Sequence, residues 1–357
     1  VIRNIRLSDW DTGIYFQNVD DSTIISSTIR YNQTSGIHLA GSDNNTITNC
    51  AVNTNNIFGI RLDGGSNNNT ISENTVNNQG QGIQVGKDTS TADNNVIRNN
   101  YIGGNKTGID VEYSDFLTIE DNTITYNWWG IHLYAATDNT IARNIITDNG
   151  YENQYAGILV GWAAQNNLIY NNLFDNYQNF AFGSDQQIYV NAWNIAKQIG
   201  TNIVGGPYLG GNYWGDYYGF GSGLSNDCTD SDGGYICDNS YSLDVGDVDN
   251  YPLKEFPDQD GDSVADPDDN CMYTPNPDQV NSDGDDFGNA CDICWLEDNN
   301  DQADTNGNCS APPYTVDPEC GDACELSDTD GDGVPDIDDN CPTVPNSNQD
   351  DGDGDDA

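Results

Sequence analysis

The sequence predicts an all-β protein whose first two hundred residues form a parallel β-helix with three short strands in each coil. Two observations lead to this fold class. The dipeptide Gly-Ile recurs at positions 13, 36, 59, 82, 108, 130 and 157, so the spacing is 22 to 27 residues. Each period also contains three β-type segments of three to five residues, which Asn or Gly separates. The density of Asn, Thr and Gly argues against amphipathic helices.

Three columns of apolar residues run through these periods. The first column is the Ile of each Gly-Ile pair. The second comprises Ile24, Ile47, Ile71, Ile97, Ile119, Ile141 and Ile169. The third comprises Ile29, Val52, Val76, Ile102, Ile124, Ile146 and Phe174. Coils stacked about 4.8 Å apart are expected to join these columns into one continuous core.

A polar column lies three residues after the second apolar column. It comprises Ser27, Cys50, Asn74, Asn100, Asn122, Asn144 and Asn172. Stacked Asn side chains are expected to hydrogen-bond along the axis and to satisfy turn backbone groups that would otherwise be buried unpaired. Within this column Cys50 is predicted to be a buried, inert thiol. The Gly before each first strand indicates a tight corner that needs permissive backbone.

The chain is strongly acidic, with 58 Asp plus Glu, 10 Lys plus Arg and a formal net charge of −48. This balance argues against nucleic acid and anionic membranes as partners, since both need basic surface. Of the acids, 30 lie from Asp258 to Ala357, where no Lys, Arg or His occurs. We therefore predict a β-helix at 1–206, a closing segment at 207–256 and an acidic module at 257–357. No apolar run approaches the roughly 18 to 20 residues of a membrane span.

The cysteines indicate disulfides and an oxidising, extracellular compartment, since seven of the ten lie at or beyond position 271. Cys228 and Cys237 are expected to close a local loop in the closing segment. Three pairings are open for the four cysteines Cys294, Cys309, Cys320 and Cys324. Candidate glycosylation sequons begin at Asn32, Asn44, Asn68, Asn105 and Asn308.

The acidic module contains loops with the oxygen-ligand spacing of a twelve-residue calcium loop. In "DTDGDGVPDIDD" acids occupy positions 1, 3, 5, 9 and 12, Gly occupies position 6, and the backbone carbonyl of position 7 is the usual further ligand. The expected ligands of this loop are Asp328, Asp330, Asp332, Val334, Asp336 and Asp339. An earlier copy offers Asp258, Asp260, Asp262, Val264, Asp266 and Asp269. A third loop offers Asn281, Asp283, Asp285, Phe287, Asn289 and Asp292. A fourth begins with Asp351, Asp353 and Asp355.

Several calcium ions are therefore the expected cofactor. The module has too few large apolar residues to offset chain entropy by burying a core. Bound calcium converts the mutual repulsion of the carboxylates into ion coordination, and its loss should expand the module. A disordered acidic linker would predict neither the regular loop spacing nor the regularly placed cysteines.

The repeats resemble the right-handed β-helix repeats of archaeal and bacterial surface proteins, including the periplasmic nitrous-oxide-reductase maturation type and the pectate-lyase type. "GGNYWGDYYGF" at 210–220 and "DVDNYPL" at 247–253 resemble the segment that often closes such helices in archaeal surface proteins. The resemblance covers roughly residues 1–256 and is almost silent about function. Copper handling, which the maturation type suggests, has little support from one Met and two widely spaced His.

The pattern "DxDGDxVxDxxDNC…PNxxQ…DGD…GNACD" in the acidic module resembles thrombospondin type 3 repeats. The resemblance implies that calcium ions replace a hydrophobic core and that disulfides link the loops. It also implies a disulfide between Cys271 and Cys291, and a partner for Cys341 beyond Ala357. We therefore expect the protein to be longer at its C-terminus, and Val1, which begins inside a coil, gives the same expectation for the N-terminus.

The outward positions after each Gly-Ile pair are where an enzyme of this architecture would work. The expected register makes two small clusters, one of Asp110, Glu112 and His132 and one of His38, Arg61 and Asp63. Polysaccharide cleavage needs paired carboxylates, or a basic residue beside calcium, and no matched pair of acids occurs on three successive coils. The first cluster is therefore an alternative catalytic set, and ordinary solvated residues are the favoured interpretation. Outward aromatic residues suit sugar stacking as well as covering hydrophobic edges: Tyr15, Tyr134, Trp128, Trp129 and Trp162.

The favoured function is that of a secreted, calcium-stabilised structural or adhesive protein of a prokaryotic cell surface, of archaeal type. A rod of stacked coils with a calcium connector suits head-to-tail assembly into fibres, with copies of itself or with matrix components as partners. The alternative is a polysaccharide-binding or polysaccharide-cleaving β-helix protein with a calcium-binding connector.

Overall fold

The structure is a computed structural model in which the chain divides into two units, Val1–Phe256 and Pro257–Ala357. It describes residues 1–150, 155–183, 189–215, 224–225, 228–255, 269–300 and 302–304, together with 260, 262, 264, 309, 312, 320–321, 323–324 and 347. No helix in the described part of the chain is long and apolar enough to cross a membrane.

The first unit is a right-handed parallel β-helix built from three sheets. The first sheet contains Ile2–Arg3, Thr23–Ile25, Thr46–Thr48, Thr70–Ser72, Val96–Arg98, Thr118–Glu120, Thr140–Ala142 and Leu168–Tyr170. The second contains Arg6–Ser8, Thr28–Arg30, Ala51–Asn53, Thr75–Asn77, Tyr101–Gly103, Thr123–Thr125, Ile145–Thr147, Leu173–Asp175 and Tyr213–Trp214. The third contains Thr12–Gln17, Ser35–Ala40, Phe58–Asp63, Gln81–Val85, Thr107–Glu112, Trp129–Tyr134, Ile158–Val160 and Phe180–Phe182.

The three apolar columns are confirmed as the core of this β-helix. Ile47 pairs with Ile71 in the first sheet, and Ile83 pairs with Ile109 in the third. These side chains are fully buried, as are most members of all three columns. Since successive side chains of a strand point to opposite faces, the residues between them face outward and are free to vary.

The glycine before each first-column Ile is required by close packing between coils, not by a left-handed backbone at a corner. A Cβ at Gly36 would lie 2.8 Å from the carbonyl oxygen of Gly59 in the next coil. The expectation of a permissive corner was therefore wrong for this position. Left-handed φ angles occur instead at turn residues such as Asn44 (57°) and Asn49 (52°), which tolerate that conformation well.

The predicted polar column is confirmed as a buried ladder, and the structure adds two further ladders. In the predicted ladder the backbone N–H of Asn122 donates to Oδ1 of Asn144 over 3.0 Å, and its Nδ2 donates to the same oxygen over 2.9 Å. The two additional ladders include Asn45, Asn69, Asn95, Asn139, Asn167 and Asn191 in one, and Asn32, Asn55, Gln79, Asn105, Asn127, Asn149 and Asn176 in the other. All three satisfy turn amides that no strand reaches.

Two ladders end at buried aspartates of the closing segment, where Tyr241–Asp244 pairs antiparallel with Asp247–Asp249. The N–H of Asn212 donates to Oδ2 of Asp249 over 2.8 Å, and the N–H of Asn191 donates to Oδ1 of Asp247 over 3.0 Å. The indole Nε1 of Trp214 also donates to Asp249. Burial raises the pKa of Asp249 to about 7, although these donors favour the charged form. A second antiparallel pair joins Gln198–Ile199 and Tyr208–Leu209.

The second unit has no regular strand or helix among its described residues and is held by disulfides. The predicted bonds Cys228–Cys237, in the closing segment, and Cys271–Cys291 are confirmed. The structure selects one of the three open pairings, Cys294–Cys324 with Cys309–Cys320. Among the described residues of this unit, a small apolar cluster forms around Ile293 and the last two disulfides.

Candidate functional site

The first acidic loop brings three of its predicted ligands together. Carboxylate oxygens of Asp260, Asp262 and Asp269 lie within 4.8 Å of one another. The loop backbone holds them there, because the N–H of Val264 donates to Oδ1 of Asp262 over 2.8 Å. Oδ2 of Asp262 in turn accepts the N–H of Asn276 over 2.7 Å. Three converging carboxylates are the donor set that a hard divalent cation such as calcium prefers.

The second acidic loop repeats this arrangement 23 residues later, at Asp283, Asp285 and Asp292. The equivalent bonds recur: the N–H of Phe287 donates to Oδ1 of Asp285 over 2.7 Å, and Oδ2 of Asp285 accepts the N–H of Asn299 over 3.2 Å. Two loops with the same hydrogen bonds are a built arrangement rather than a chance cluster of surface acids.

Buried carboxylate oxygens without hydrogen-bond partners favour cation binding by both loops. Oδ1 of Asp269 accepts the N–H of Cys271 and Nε2 of Gln279, both over 2.8 Å. Its Oδ2 is buried and has no hydrogen-bond partner, and the same holds for Oδ2 of Asp283 among the described residues. Burial, with the charges of the neighbouring aspartates, raises the pKa of Asp292. A divalent cation would bind the unpaired carboxylate oxygens and offset the repulsion between the aspartates.

The remaining predicted ligands are less uniform. Asn281 donates through Nδ2 to the carbonyl oxygen of Asp285 over 2.7 Å, and Oδ1 of Asn289 accepts the N–H of Ser282 over 2.9 Å. Both amides are thus engaged with the loop itself. The other predicted ligands lie outside the described residues: Asp258, Asp266, Asp328, Asp330, Asp332, Val334, Asp336, Asp339, Asp351, Asp353 and Asp355.

The outer face of the third sheet has the predicted register. Asp110 pairs with His132 across adjacent strands, and Glu112 pairs with Tyr134. Nδ1 of His132 lies 2.9 Å from Oδ1 of Asp110, which is almost fully buried. Burial, followed by the charge of Asp110, raises the pKa of Glu112. The three residues of the alternative catalytic set are therefore neighbours on one surface.

The second cluster on this face joins His38, Arg61 and Asp63. Nε2 of His38 lies 3.0 Å from Oδ1 of Asp63, and the guanidinium of Arg61 contacts Oδ2 of the same residue. Burial alone would raise the pKa of Asp63, but the hydrogen bond and charge of His38, together with Arg61, outweigh it and lower the pKa. This cluster uses its charges internally, which suits a structural role.

Aromatic rings form a row beside His132. The ring centroids of Tyr134 and Trp162 are 5.7 Å apart, and those of Tyr113 and Tyr134 are 5.6 Å apart. Trp162 is 45% exposed. Sequence patterning does not identify Tyr113, because this residue lies one position beyond the strand Thr107–Glu112, where alternation no longer predicts orientation.

The structure corrects two of the glycosylation sequons. Asn32 and Asn105 are buried in a ladder, where Nδ2 of each donates to Oδ1 of the next residue, Asn55 or Asn127. A glycan cannot be attached to these nitrogens in the folded β-helix. The side chains of Asn44 and Asn68 are exposed, and Asn308 lies outside the described residues.

Comparisons with solved structures find other β-helix proteins at low identity. The A-module of the mannuronan C-5 epimerase AlgE6 from Azotobacter vinelandii is 17% identical, with a TM-score of 0.48, and the match covers 53% of this chain and 58% of the module. The enzymatically active domain of tailspike protein 2 from bacteriophage CBA120 is 16% identical, with a TM-score of 0.43, 61% of this chain and 39% of that chain covered. An alginate lyase from Paenibacillus sp. FPU-7 is 18% identical, with a TM-score of 0.40, and the match covers 52% of this chain and 74% of the lyase chain. No curated protein matches the sequence.

Comparison with protein families accounts for both units. The thrombospondin type 3 repeat matches residues 257–279 and 318–349, which include the first acidic loop and the loop quoted from the sequence. The second loop, at 281–292, lies outside these matches although its geometry repeats that of the first. A second family matches residues 1–219, which is most of the β-helix and more than half of the chain. The chain therefore belongs to the family described as periplasmic copper-binding protein (NosD).

Proposed function

We propose that this protein is a secreted, calcium-stabilised structural or adhesive protein of a prokaryotic cell surface. The observation that carries the proposal is the repeated carboxylate cluster at Asp260–Asp262–Asp269 and Asp283–Asp285–Asp292, in a unit with very little apolar core. Carboxylates placed in this way stabilise a fold only when cations bind between them. A chain that depends on such ions suits an environment in which calcium is plentiful.

The β-helix supplies a stiff element in this proposal. Its coils are joined by parallel strands and by buried Asn ladders along the whole unit, so bending it would break many hydrogen bonds together. We further propose that copies assemble head to tail into extracellular fibres, with the calcium unit as connector. The family likeness supports export, since the family is described as periplasmic.

The described residues do not fit the copper that the family description names. His38 and His132 each bind a different aspartate and lie four coils apart in the third sheet. Cys50 is buried in the core, and Met272 belongs to the acidic unit. Among the described residues, the groups of three or more His, Cys, Asp or Glu close enough to share an ion are the two aspartate clusters. Soft-metal binding needs a different donor set.

Calcium titration of the full chain tests the metal part of this proposal. Asp283→Asn, which removes one carboxylate of the second cluster, should lower the number of bound ions or weaken one binding step by about tenfold or more, because calcium affinity follows ligand charge. Asp286→Asn is the matched control, since Asp286 is exposed and occupies position 6 of its loop. Isothermal titration calorimetry on both variants would measure the difference. Equal binding by the two variants would contradict the assigned loop geometry.

Electron microscopy in millimolar calcium tests the assembly. Fibres with a regular axial repeat that disappear on chelation are expected. Dispersed single particles at every calcium concentration would overturn head-to-tail assembly, while leaving the calcium sites to be judged by titration.

A further inference from the structure

The outer face around His132 has features that the structural role does not require. We call the group Asp110, Glu112, His132, Tyr134 and Trp162 the His132 patch. The carboxylate of Asp110 fixes the imidazole ring through Nδ1. Among the described residues Nε2 has no hydrogen-bond partner, and the His132 side chain is 22% exposed. A ring oriented from one nitrogen, with the other left open, is available to a ligand.

A glycine in the next coil keeps this nitrogen accessible. A Cβ at Gly161 would lie 3.2 Å from Nε2 of His132 and 3.5 Å from Cδ2 of Tyr134. In the following coil Gly183 lies against Gly161, so a Cβ there would be 3.2 Å from the Gly161 Cα. The two glycines leave a notch beside the imidazole that side chains would otherwise fill.

Aromatic rings form the wall of this notch. Tyr134 lies 6.2 Å from His132 and 5.7 Å from Trp162 between ring centroids, and Trp162 is 45% exposed. An exposed ring beside oriented polar groups combines a flat apolar surface with hydrogen-bonding atoms. The C–H faces of a pyranose ring pack on such a surface, while its hydroxyls need donors and acceptors at the edge.

The charges of the patch select among sugars. Asp110 and Glu112 are its acids, and an anionic saccharide would be repelled by them, as by the formal charge of −48 on the chain. We propose that the His132 patch binds an uncharged glycan, with one sugar ring stacked on Tyr134 or Trp162 and its hydroxyls hydrogen-bonded to Nε2 of His132 and to Glu112.

Calorimetry with defined oligosaccharides tests this proposal on the full chain. Hexasaccharides of glucose, mannose and N-acetylglucosamine serve as uncharged probes, with oligogalacturonate as anionic and chitosan oligosaccharide as cationic comparator. At least one uncharged probe should bind, and Trp162→Ala should weaken it about tenfold, as expected for loss of one stacked ring. Trp10→Ala is the matched control, because Trp10 is 61% exposed on a distant coil. Binding should persist in chelator, since the patch belongs to the first unit.

Gly161→Ala gives an independent test of the notch. It should abolish binding while circular dichroism still reports the β-helix, and His132→Gln should weaken binding without unfolding. Failure of every uncharged probe to bind, binding of only a charged comparator, or an equal loss in Trp10→Ala and Trp162→Ala would each overturn the proposal. None of these outcomes bears on the calcium sites.

Discussion

The two units of this chain solve the problem of stability in opposite ways. In Val1–Phe256, columns of Ile and Val bury an apolar core, and Asn ladders satisfy the turns between strands. In Pro257–Ala357 the described residues offer one small apolar cluster, three disulfides and two groups of converging carboxylates. The described stabilising groups of the first unit are its own side chains, whereas we propose that the second unit depends on ions from solution. Two units of one strongly acidic chain can therefore be stabilised by different interactions, so the net charge of the chain does not by itself reveal how each unit is held together.

Exhaustive chelation should produce the largest difference between the two units, measured as their rates of proteolysis. Removing calcium leaves the converging carboxylates of each loop, such as Asp260, Asp262 and Asp269 in the first, to repel one another, so the second unit should open between its disulfides. We expect proteolysis within 257–300 to become about tenfold or more faster, because bound ligand no longer favours the folded state. Limited proteolysis with mass spectrometry of the fragments would measure this.

The β-helix serves as the internal control in the same digest. Its cleavage rate should stay constant, since apolar side chains form its core and amides form its ladders. If chelation changed neither unit, or exposed both equally, the contrast between an ion-dependent and an ion-independent unit would be wrong.

Breaking a ladder should be the most damaging single change within the β-helix. In Asn144→Ala, the N–H of Asn122 loses its acceptor, and the carbonyl oxygens of Ile119 and Ala142 lose a donor. The buried N–H of Asn122 is then left unpaired, which costs roughly 1 to 3 kcal/mol, and the donors lost by the two carbonyls add to this, so a loss of about 3 kcal/mol is expected. Chemical denaturation monitored by circular dichroism would measure it.

The control for this change is Asn56→Ala, which removes an exposed amide from a turn of the same unit. It should alter stability by less than about 0.5 kcal/mol. Equal effects of the two substitutions would mean that the ladder contributes no more than any turn residue.

The fold was largely predictable because each coil of the β-helix repeats the same pattern of residues along the sequence. Gly-Ile pairs and the apolar columns gave the strands, the core and the outward register of Asp110 and His132 correctly. The second and third ladders were missed, because their positions combine Asn with Leu117 and Gln79, which hides the column. The burial of the sequon residues Asn32 and Asn105 was also missed, because a glycosylation motif carries no information on which face its Asn occupies.

The candidate sites were predictable only where their residues lie close together in the sequence. Acids at alternate positions in one loop gave the clusters at Asp262 and Asp285. The pairing of Cys294 with Cys324 and the notch at Gly161 depend on segments that meet only after folding, so no short pattern contains them. Asp249 was missed because its partners Asn212 and Trp214 come from a distant part of the chain.

Titration of Asp249 should make the stability of the β-helix depend on pH. Its carboxyl titrates near pH 3.9 when unfolded and at about 7 when folded. The folded state therefore binds the proton more tightly, so the stabilisation is complete below about pH 4 and is lost as pH rises through 7. At about 1.4 kcal/mol per unit, the difference amounts to at most about 4 kcal/mol.

Comparison with Asp249→Asn isolates this contribution from other acids, including Asp247, whose pKa burial also raises. The variant should lose the part of the pH dependence between about pH 4 and 7 that Asp249 causes. Denaturation midpoints at several pH values would measure it. Parallel pH profiles for wild type and variant would contradict a titrating ladder end.

The smallest expected effect comes from the one cysteine in a ladder. The thiol of Cys50 contacts the carbonyl oxygen of Thr48 at 3.3 Å and that of Ile24 at 3.9 Å, and burial raises its pKa, so it stays protonated as a weak donor. In Cys50→Asn, Nδ2 would donate to these oxygens and to Oδ1 of Asn74, as the other ladder amides do. We expect a gain of about 1 kcal/mol in the free energy of unfolding.

Cys50→Ala sharpens this last comparison, because it removes the thiol without supplying an amide. It should destabilise the β-helix by about 1 kcal/mol or more, through lost packing and unpaired carbonyls. If Asn and Ala at position 50 were equally destabilising, the thiol would be filling a space that the ladder cannot occupy. The apolar columns, rather than the amides, would then limit how the first coils pack.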